Sequence, residues 1–318
     1  MTLTSTAAGE LATSSPAGAG ARPAKARTRR SGSRRLARAG FLFVLPAVIY
    51  IVGFQLVPVV YGLVLSFTDY SPLARSGPEF VGGANFAKVL GDPRFLHSLL
   101  VTGQYVLLVL PPLLILALLL AMMVNKPFRG VGFFRSALYV PHIVSLTAVS
   151  MIWLWLYSDN GAINGLLEGV GLGSQAWLLD PDSALPAVAA MRVWKALGSN
   201  MVLLLAGLQT IPAELYEAAR MDGAGAWARF RYVTLPGLKP ILMYVVATDI
   251  IFLAQSFAEV FVLTKGGPLE STTVANVLIY NEAFQYNSMG SASAMAFVLF
   301  AFIAAFSLVA VRNFARRP

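Results

Sequence analysis

Residues 210–240 read TIPAELYEAARMDGAGAWARFRYVTLPGLKP, a polar, basic and helix-forming stretch between two strongly apolar runs. Pro212 suits the first turn of a helix, where its missing N–H leaves no bond unmade. Glu214 follows near the positive end of the helix dipole. Leu215, Ala218 and Ala219 fall on one side at helical spacing, with Glu214 and Glu217 beside them. Gly223 permits the left-handed backbone on which such a helix ends. A second short helix is expected from Ala224 to about Tyr232, until Pro236 and Pro240 break the chain. The expected unit is a helix, a glycine turn and a second helix, held at a membrane surface. Its small residues, Ala218 and Ala219, admit close approach of another protein, and the glutamate beside them offers a charged contact. Spacing alone fits an ordinary loop between two spans equally well.

The membrane is implied by what flanks this stretch. The chain has 318 residues, 57% hydrophobic and only 12% charged. A soluble domain carries about 25% charged residues. Six apolar runs, at about 41–67, 99–124, 133–156, 185–208, 241–263 and 292–311, approach or exceed the roughly 20 residues needed to cross a bilayer. Prolines 46, 58, 111, 112, 141 and 186 lie within them. Membrane helices tolerate proline where neighbours satisfy the freed backbone groups. There are no cysteines, which excludes disulfides and thiolate metal sites, and the two histidines are too few for a histidine-rich metal site.

The positive charges give an orientation. Residues 1–38 hold Arg22, Lys25, Arg27, Arg29, Arg30, Arg34, Arg35 and Arg38 and almost no large apolar residue, as in a disordered basic tail that touches anionic lipid. The segment SRRLARAGFLF, residues 33–43, superficially suits a twin-arginine export signal. The apolar run behind it is too long for a signal and ends in no A-x-A-like site. With the tail inside, the inner segments also hold Lys126, Arg129, Arg135, Arg220, Arg229, Arg231, Lys239, Arg312, Arg316 and Arg317. The outer segments hold only Arg75, Lys88, Arg94 and Lys265. That asymmetry places both termini, and the 210–240 stretch, in the cytosol. The net charge of +9 is thus a matter of topology and does not call for nucleic acid.

Glu217-Ala218-Ala219, Asp222-Gly223-Ala224, Phe230 and Leu235-Pro236 together resemble the EAA loop of binding-protein-dependent ABC importer permeases. In that family the loop docks the ATPase subunit. Val81-Gly82-Gly83-Ala84-Asn85-Phe86 with Asp92-Pro93-Arg94-Phe95 resembles the family's short helical segment after the first span. Gly161, Asn164, Leu166, Trp177 and Leu178 resemble its scaffold in an outer loop, 159–183, with four acidic and no basic residues. Leu263-Thr264-Lys265-Gly266-Gly267-Pro268, Ser271-Thr272-Thr273, Tyr280, Ala283-Phe284 and Gly290 resemble the outer loop of sugar-type permeases. The resemblance runs from about Phe41 to the C-terminus. It implies an all-α polytopic bacterial inner-membrane protein with six transmembrane helices, the type I ABC importer permease fold over 39–318. It further implies coupling residues Glu214, Glu217, Ala218, Ala219, Asp222, Gly223, Phe230 and Pro236. The implied partners are a second homologous permease, two ATPase subunits that bind ATP-Mg, and an extracytoplasmic solute-binding protein.

Arg192, Lys195, Asp249 and Glu259 fall inside apolar runs. Each costs about 2.5–3.5 kcal/mol at a helix centre on insertion scales, so each should face the bundle or water. Counting 1.5 Å per residue puts Lys195 roughly 15 Å in from outside and Asp249 about 12 Å in from the cytosol. One reading is ion pairing between the fourth and fifth spans, for example Lys195 with Asp249. The other is a polar substrate path near the midplane, lined by Trp194, Lys195, Asn200, Asp249, Gln255, Phe257, Glu259 and Phe261. Sugar hydroxyls need donors and acceptors, and a sugar's apolar face stacks on aromatic rings. Two acids on the path would oppose an anionic cargo, which favours neutral sugars over glycerol phosphates. His142 reads as a helix-packing residue.

No G-x-x-x-x-G-K-[ST] loop occurs, nor G-x-S-x-G, H-E-x-x-H or CxxC. The expectation is a transport subunit that binds no cofactor and catalyses nothing itself. Rival readings are the same machinery carrying glycerol phosphate or a polyamine, a secondary transporter protonated at Asp249 or Glu259, and a structural membrane protein without cargo.

Overall fold

The computed structural model describes residues 30–74 and 77–316, and the chain divides into two compact units, Met1–Val57 and Pro58–Pro318. Of the basic residues that set the orientation, Arg22, Lys25, Arg27, Arg29, Arg75 and Arg317 lie outside the described residues. So do the first 29 residues of the expected tail, whereas from Arg30 the backbone is helical.

In the first unit the helix α1 (Arg30–Ile51) runs into a π turn, Val52–Leu56. Between Phe41 and Ile51 its apolar side chains are exposed except for the half-buried Leu45, Phe43 by 88%. Apolar surface of that kind on every side suits lipid as solvent.

The second unit is built on two long helices, α4 (Pro93–Val124) and α8 (Pro181–Gln209), which pack most extensively on each other. Each begins with an aspartate, Asp92 or Asp180, whose carboxylate accepts from the backbone N–H two residues on, followed by proline in the first turn. Val101, Tyr105, Val109, Leu113, Ala117 and Ala121 are buried on α4 at four-residue spacing. They meet Leu185, Val188, Met191, Met201, Leu204 and Leu208 of α8 in the core. In α8, 61% of the apolar window is buried, against 28% in α4, so α8 is the central helix.

Around this pair lie α5 (Val131–Ile143), α6 (Leu146–Leu156), α12 (Lys239–Ala254), α13 (Ala258–Leu263) and α15 (Met289–Arg316). Before α4, the helices α2 (Val57–Ser66) and α3 (Ala84–Gly91) flank a two-residue antiparallel ladder, β1 (Thr68–Asp69) with β2 (Glu79–Phe80), pairing Thr68 with Phe80. Shorter helices follow along the chain: α7 (Ala162–Gly169), α9 (Ala213–Met221), α10 (Ala226–Arg229), α11 (Leu235–Gly237) and α14 (Ala275–Tyr280).

Among the described residues four helices are long and apolar enough to cross a membrane, and up to six spans result if each of two bent pairs counts as one. The expected third span is not continuous. α5 and α6 meet at 97°, because Val144 and Ser145 are extended. The expected fifth span, 241–263, also breaks: α12 stops at Ala254 and α13 starts at Ala258. Asn276 Nδ2 donates to the Gln255 carbonyl at that break, 2.7 Å.

The outer loops are stapled by side-chain amides. Asn164 is fully buried; its Nδ2 donates to Ser158 O and Gln175 O, and its Oδ1 accepts from Gln175 N and Trp177 Nε1. Asn85 Nδ2 likewise donates to Ser66 O and Thr68 O. Leu166, read with the same scaffold, is exposed. Asn164→Ala should remove four hydrogen bonds, to Ser158, Gln175 and Trp177, and lower stability by about 3 kcal/mol. Thermal unfolding of the purified protein checks this, and an unchanged transition would show the staple to be dispensable.

Candidate functional site

The helix α9 follows α8 after only three residues, and no residue of it is buried. Its end has the hydrogen bonds of a Schellman cap: Gly223 N donates to Arg220 O (3.0 Å) and Ala224 N to Ala219 O (2.8 Å). Gly223 takes φ 76°, the left-handed conformation expected of it. Glu214, Glu217, Ala218, Asp222 and Pro236 are exposed; Ala219 and Phe230 are half-buried.

One local expectation is overturned. Pro236 does not break the chain. The helix α10 passes through a π turn, Phe230–Thr234, into α11, and the 66° bend comes later, between α11 and α12 at Leu238. A proline ring clashes with the carbonyl four residues back, here Tyr232, which lies in the middle of the widened turn. The turn therefore absorbs the proline. Tyr216 OH and Thr234 Oγ1, 3.1 Å apart, tie α9 to this turn.

Leu215, Met221, Trp227 and Tyr232 are also exposed in this stretch, Met221 by 88% and Trp227 by 74%. Leu215 shares the expected face with Ala218 and Ala219, whereas Met221, Trp227 and Tyr232 lie outside the sequence expectation. A tryptophan and a methionine in an otherwise polar stretch were the available signal. Four large side chains exposed within eighteen residues of a polar stretch suit an interaction surface.

About 20 Å back along α8, at 1.5 Å per residue, lies the second feature. A cavity of about 570 Å³ is lined by residues of α5, α6, α8 and α12, among them Tyr139, His142, Arg192, Lys195, Asn200 and Asp249. Of the expected path residues it brings together Lys195, Asn200 and Asp249. Asn200 Oδ1 and Asp249 Oδ2 are buried and accept no hydrogen bond among the described residues. Unmatched acceptors of this kind cost stability unless a ligand or water supplies donors.

The other path residues lie elsewhere. Trp194 packs on Trp153, 5.6 Å between ring centroids. Gln255 lines a separate, mostly apolar groove between α12 and α15. Phe257 and Phe261 stack at 5.1 Å and both lie against Tyr280. Glu259 is 1% exposed; it accepts from Tyr105 OH (3.1 Å) and stands 3.8 Å from Arg192 Nε. The ion pair considered for Lys195 and Asp249 is not formed. Arg192 pairs with Glu259 instead, and Lys195 Nζ donates to backbone carbonyls. Lining residues the sequence reading did not name include Ser199, Tyr244, Thr248 and Phe252. The last three recur every four residues through Asp249's turn of α12, a periodicity that was there to be read.

Residues 83–318 match the family described as the binding-protein-dependent transport system inner membrane component. The chain belongs to that family. It is 35% identical over 276 residues to the probable ABC transporter permease protein YesP of Bacillus subtilis (strain 168), covering 85% of this chain and 88% of that one. It is 34% identical over 277 residues to the lactose transport system permease protein LacF of Rhizobium radiobacter, covering 85% and 92%. Among solved structures, a bacterial ABC transporter that imports the acidic polysaccharide alginate aligns with TM-score 0.78 at 22% identity, over 91% of this chain and 99% of that one. That likeness carries the fold. This permease is therefore an all-α membrane subunit of an ABC importer, and its part is transport.

Proposed function

We propose that the permease carries a neutral carbohydrate inward, moved by separate ATPase subunits that grip α9 and α10. The observation that carries this reading is the layout of α8. The helix carries one unmatched cavity acceptor, Asn200 Oδ1, beside that of Asp249 on α12, and three residues past its end begins the exposed helical hairpin of the family's coupling motif. A rigid helix of this length transmits displacement from a grip to a cavity. Both termini and the hairpin lie in the cytosol on the balance of basic residues. The unit pairs with a second, related permease, and a binding protein delivers the cargo from outside. Relatives support the cargo class, since LacF is a lactose permease by name.

The cavity's charges agree. Glu259 is turned away from it, so one carboxylate, Asp249, faces the path rather than two. Arg192, on the lining, is matched by Glu259 behind it, and Lys195 balances Asp249, so the four formal charges sum to zero. A near-neutral cavity with hydroxyls, an amide and tyrosines suits sugar hydroxyls. ATP closure of the ATPase dimer carries the hairpin, rocks the bundle and opens the cavity outward. Cargo then biases the cycle only through unequal affinity for the two states.

Asn200→Ala and Asp249→Asn should each raise the half-saturating cargo concentration about tenfold in reconstituted vesicles, with little change in the amount of assembled importer. Uptake of neutral sugars over glycerol phosphate and polyamines is the expected selectivity. Preferential uptake of either charged compound, or half-saturation unaltered in both variants, would contradict the reading.

A further inference from the structure

Lys195 Nζ donates to three backbone carbonyls at the break between α5 and α6: Val144 O at 2.7 Å, Pro141 O at 3.0 Å and His142 O at 3.4 Å. An ammonium has three N–H donors, so none remains for a ligand. The side chain is 6% exposed although it lines the cavity. The carbonyls at the end of α5 have lost their helical partners, because Val144 and Ser145 are extended. At this depth in a bilayer no lipid group replaces those partners. A cation at the negative end of a helix dipole satisfies both the carbonyls and the field.

Three residues on, Gly198 brings the two backbones into contact. A Cβ there would fall inside the van der Waals shell of the Leu138 carbonyl oxygen and 2.8 Å from Tyr139 Cα. Lys195 and Gly198 thus occupy one face of α8, one holding the end of α5 and the other admitting its flank. Tyr139, His142, Val144 and Leu146, from either side of the break, form one wall of the cavity.

We propose that Lys195 is a positioning residue for transport: it keeps the third span broken at 144–145, and that break shapes the cavity wall. It does so without touching cargo. Without Lys195, the carbonyls of Pro141 and His142 regain partners if the helix continues into Ser145 and Leu146. The span then straightens, and Tyr139 and His142 leave the wall. The transport part of this inference rests on the cavity being the cargo path; the geometric part does not.

The chain contains no cysteine, so paired spin labels can be placed at Phe133→Cys and Met151→Cys, both exposed positions on opposite arms of the break. Eighteen residues of continuous helix separate such labels by roughly 27 Å, and a right-angle break by roughly 18 Å. In the intact importer the short distance is expected. Lys195→Met should shift the distribution toward the long one, Lys195→Gln partly so, and Lys195→Arg should keep it short. In uptake assays Lys195→Met should raise half-saturation about tenfold for neutral and anionic sugars alike, and Lys195→Arg should restore it. A residue needed only for folding would lower the amount of importer and leave half-saturation unmoved. A short distance retained in both the Met and Gln variants, or an effect confined to anionic sugars, overturns the proposal. If only the choice of cargo is mistaken, the distance shift remains.

Discussion

Gly198→Ala should destabilise the permease by about 3 kcal/mol and abolish uptake. The added methyl meets the Leu138 carbonyl and the Tyr139 Cα, which are backbone atoms and cannot rotate away. Alanine gains roughly 1 kcal/mol of helix propensity over glycine, too little to offset a backbone displacement. α5 must then move off α8, and the Lys195 bonds to its end go with it. Gly207→Ala is the matched comparison. There the new Cβ meets side-chain rather than backbone atoms, Ile241 Cγ2 at 2.5 Å, Leu238 Cδ2 at 3.0 Å and Ile241 Cβ at 3.2 Å, so Ile241 must shift to admit it. Overpacking of that kind costs about 2 kcal/mol, of which alanine's helix propensity returns about 1, leaving a smaller loss than at Gly198. Thermal unfolding of the two variants should differ clearly. Equal transitions would mean that the close approach at Gly198 is not needed.

The second large effect is expected at the hairpin. Gly223→Asp should abolish uptake and release the ATPase, while the chain still inserts and folds. Nothing lies within 4 Å of a Cβ at Gly223, so the change reaches no core residue. The left-handed φ of 76° costs aspartate about 1 kcal/mol, since short polar side chains tolerate that region. The greater harm is electrostatic. A second carboxylate joins Asp222 at the negative end of α9, inside the docked surface. Loss of a hot-spot contact weakens binding roughly thirtyfold or more. Gly223→Asn accepts the same backbone without the charge and should keep most activity. Co-purification of the ATPase with each variant measures the difference. Full retention with Gly223→Asp would remove the hairpin from the interface.

The hairpin was legible because its signals are local: a proline that starts a helix, a glycine that ends it, and the spacing between them. The number of spans was legible from apolar length. The breaks were not. Nothing at Val144 and Ser145 forbids a helix, and the interruption is held from outside by Lys195, 50 residues further on. The same holds for Glu259, whose partners Tyr105 and Arg192 come from two other helices. Pro236 misled for the converse reason. Its local rule was sound, but a π turn removed the clash. Which side of α8 Trp194 would face depended on Trp153, and no single-helix periodicity contains that information.

The central claim, that a cytosolic motor grips the hairpin between α8 and α12, is most directly tested at Met221→Cys and Trp227→Cys, two strongly exposed positions in a chain without cysteine. A membrane-impermeant maleimide should label both only from the cytosolic face, and bound ATPase should block that labelling. Labelling from the outer face, or labelling undiminished by the ATPase, would contradict it.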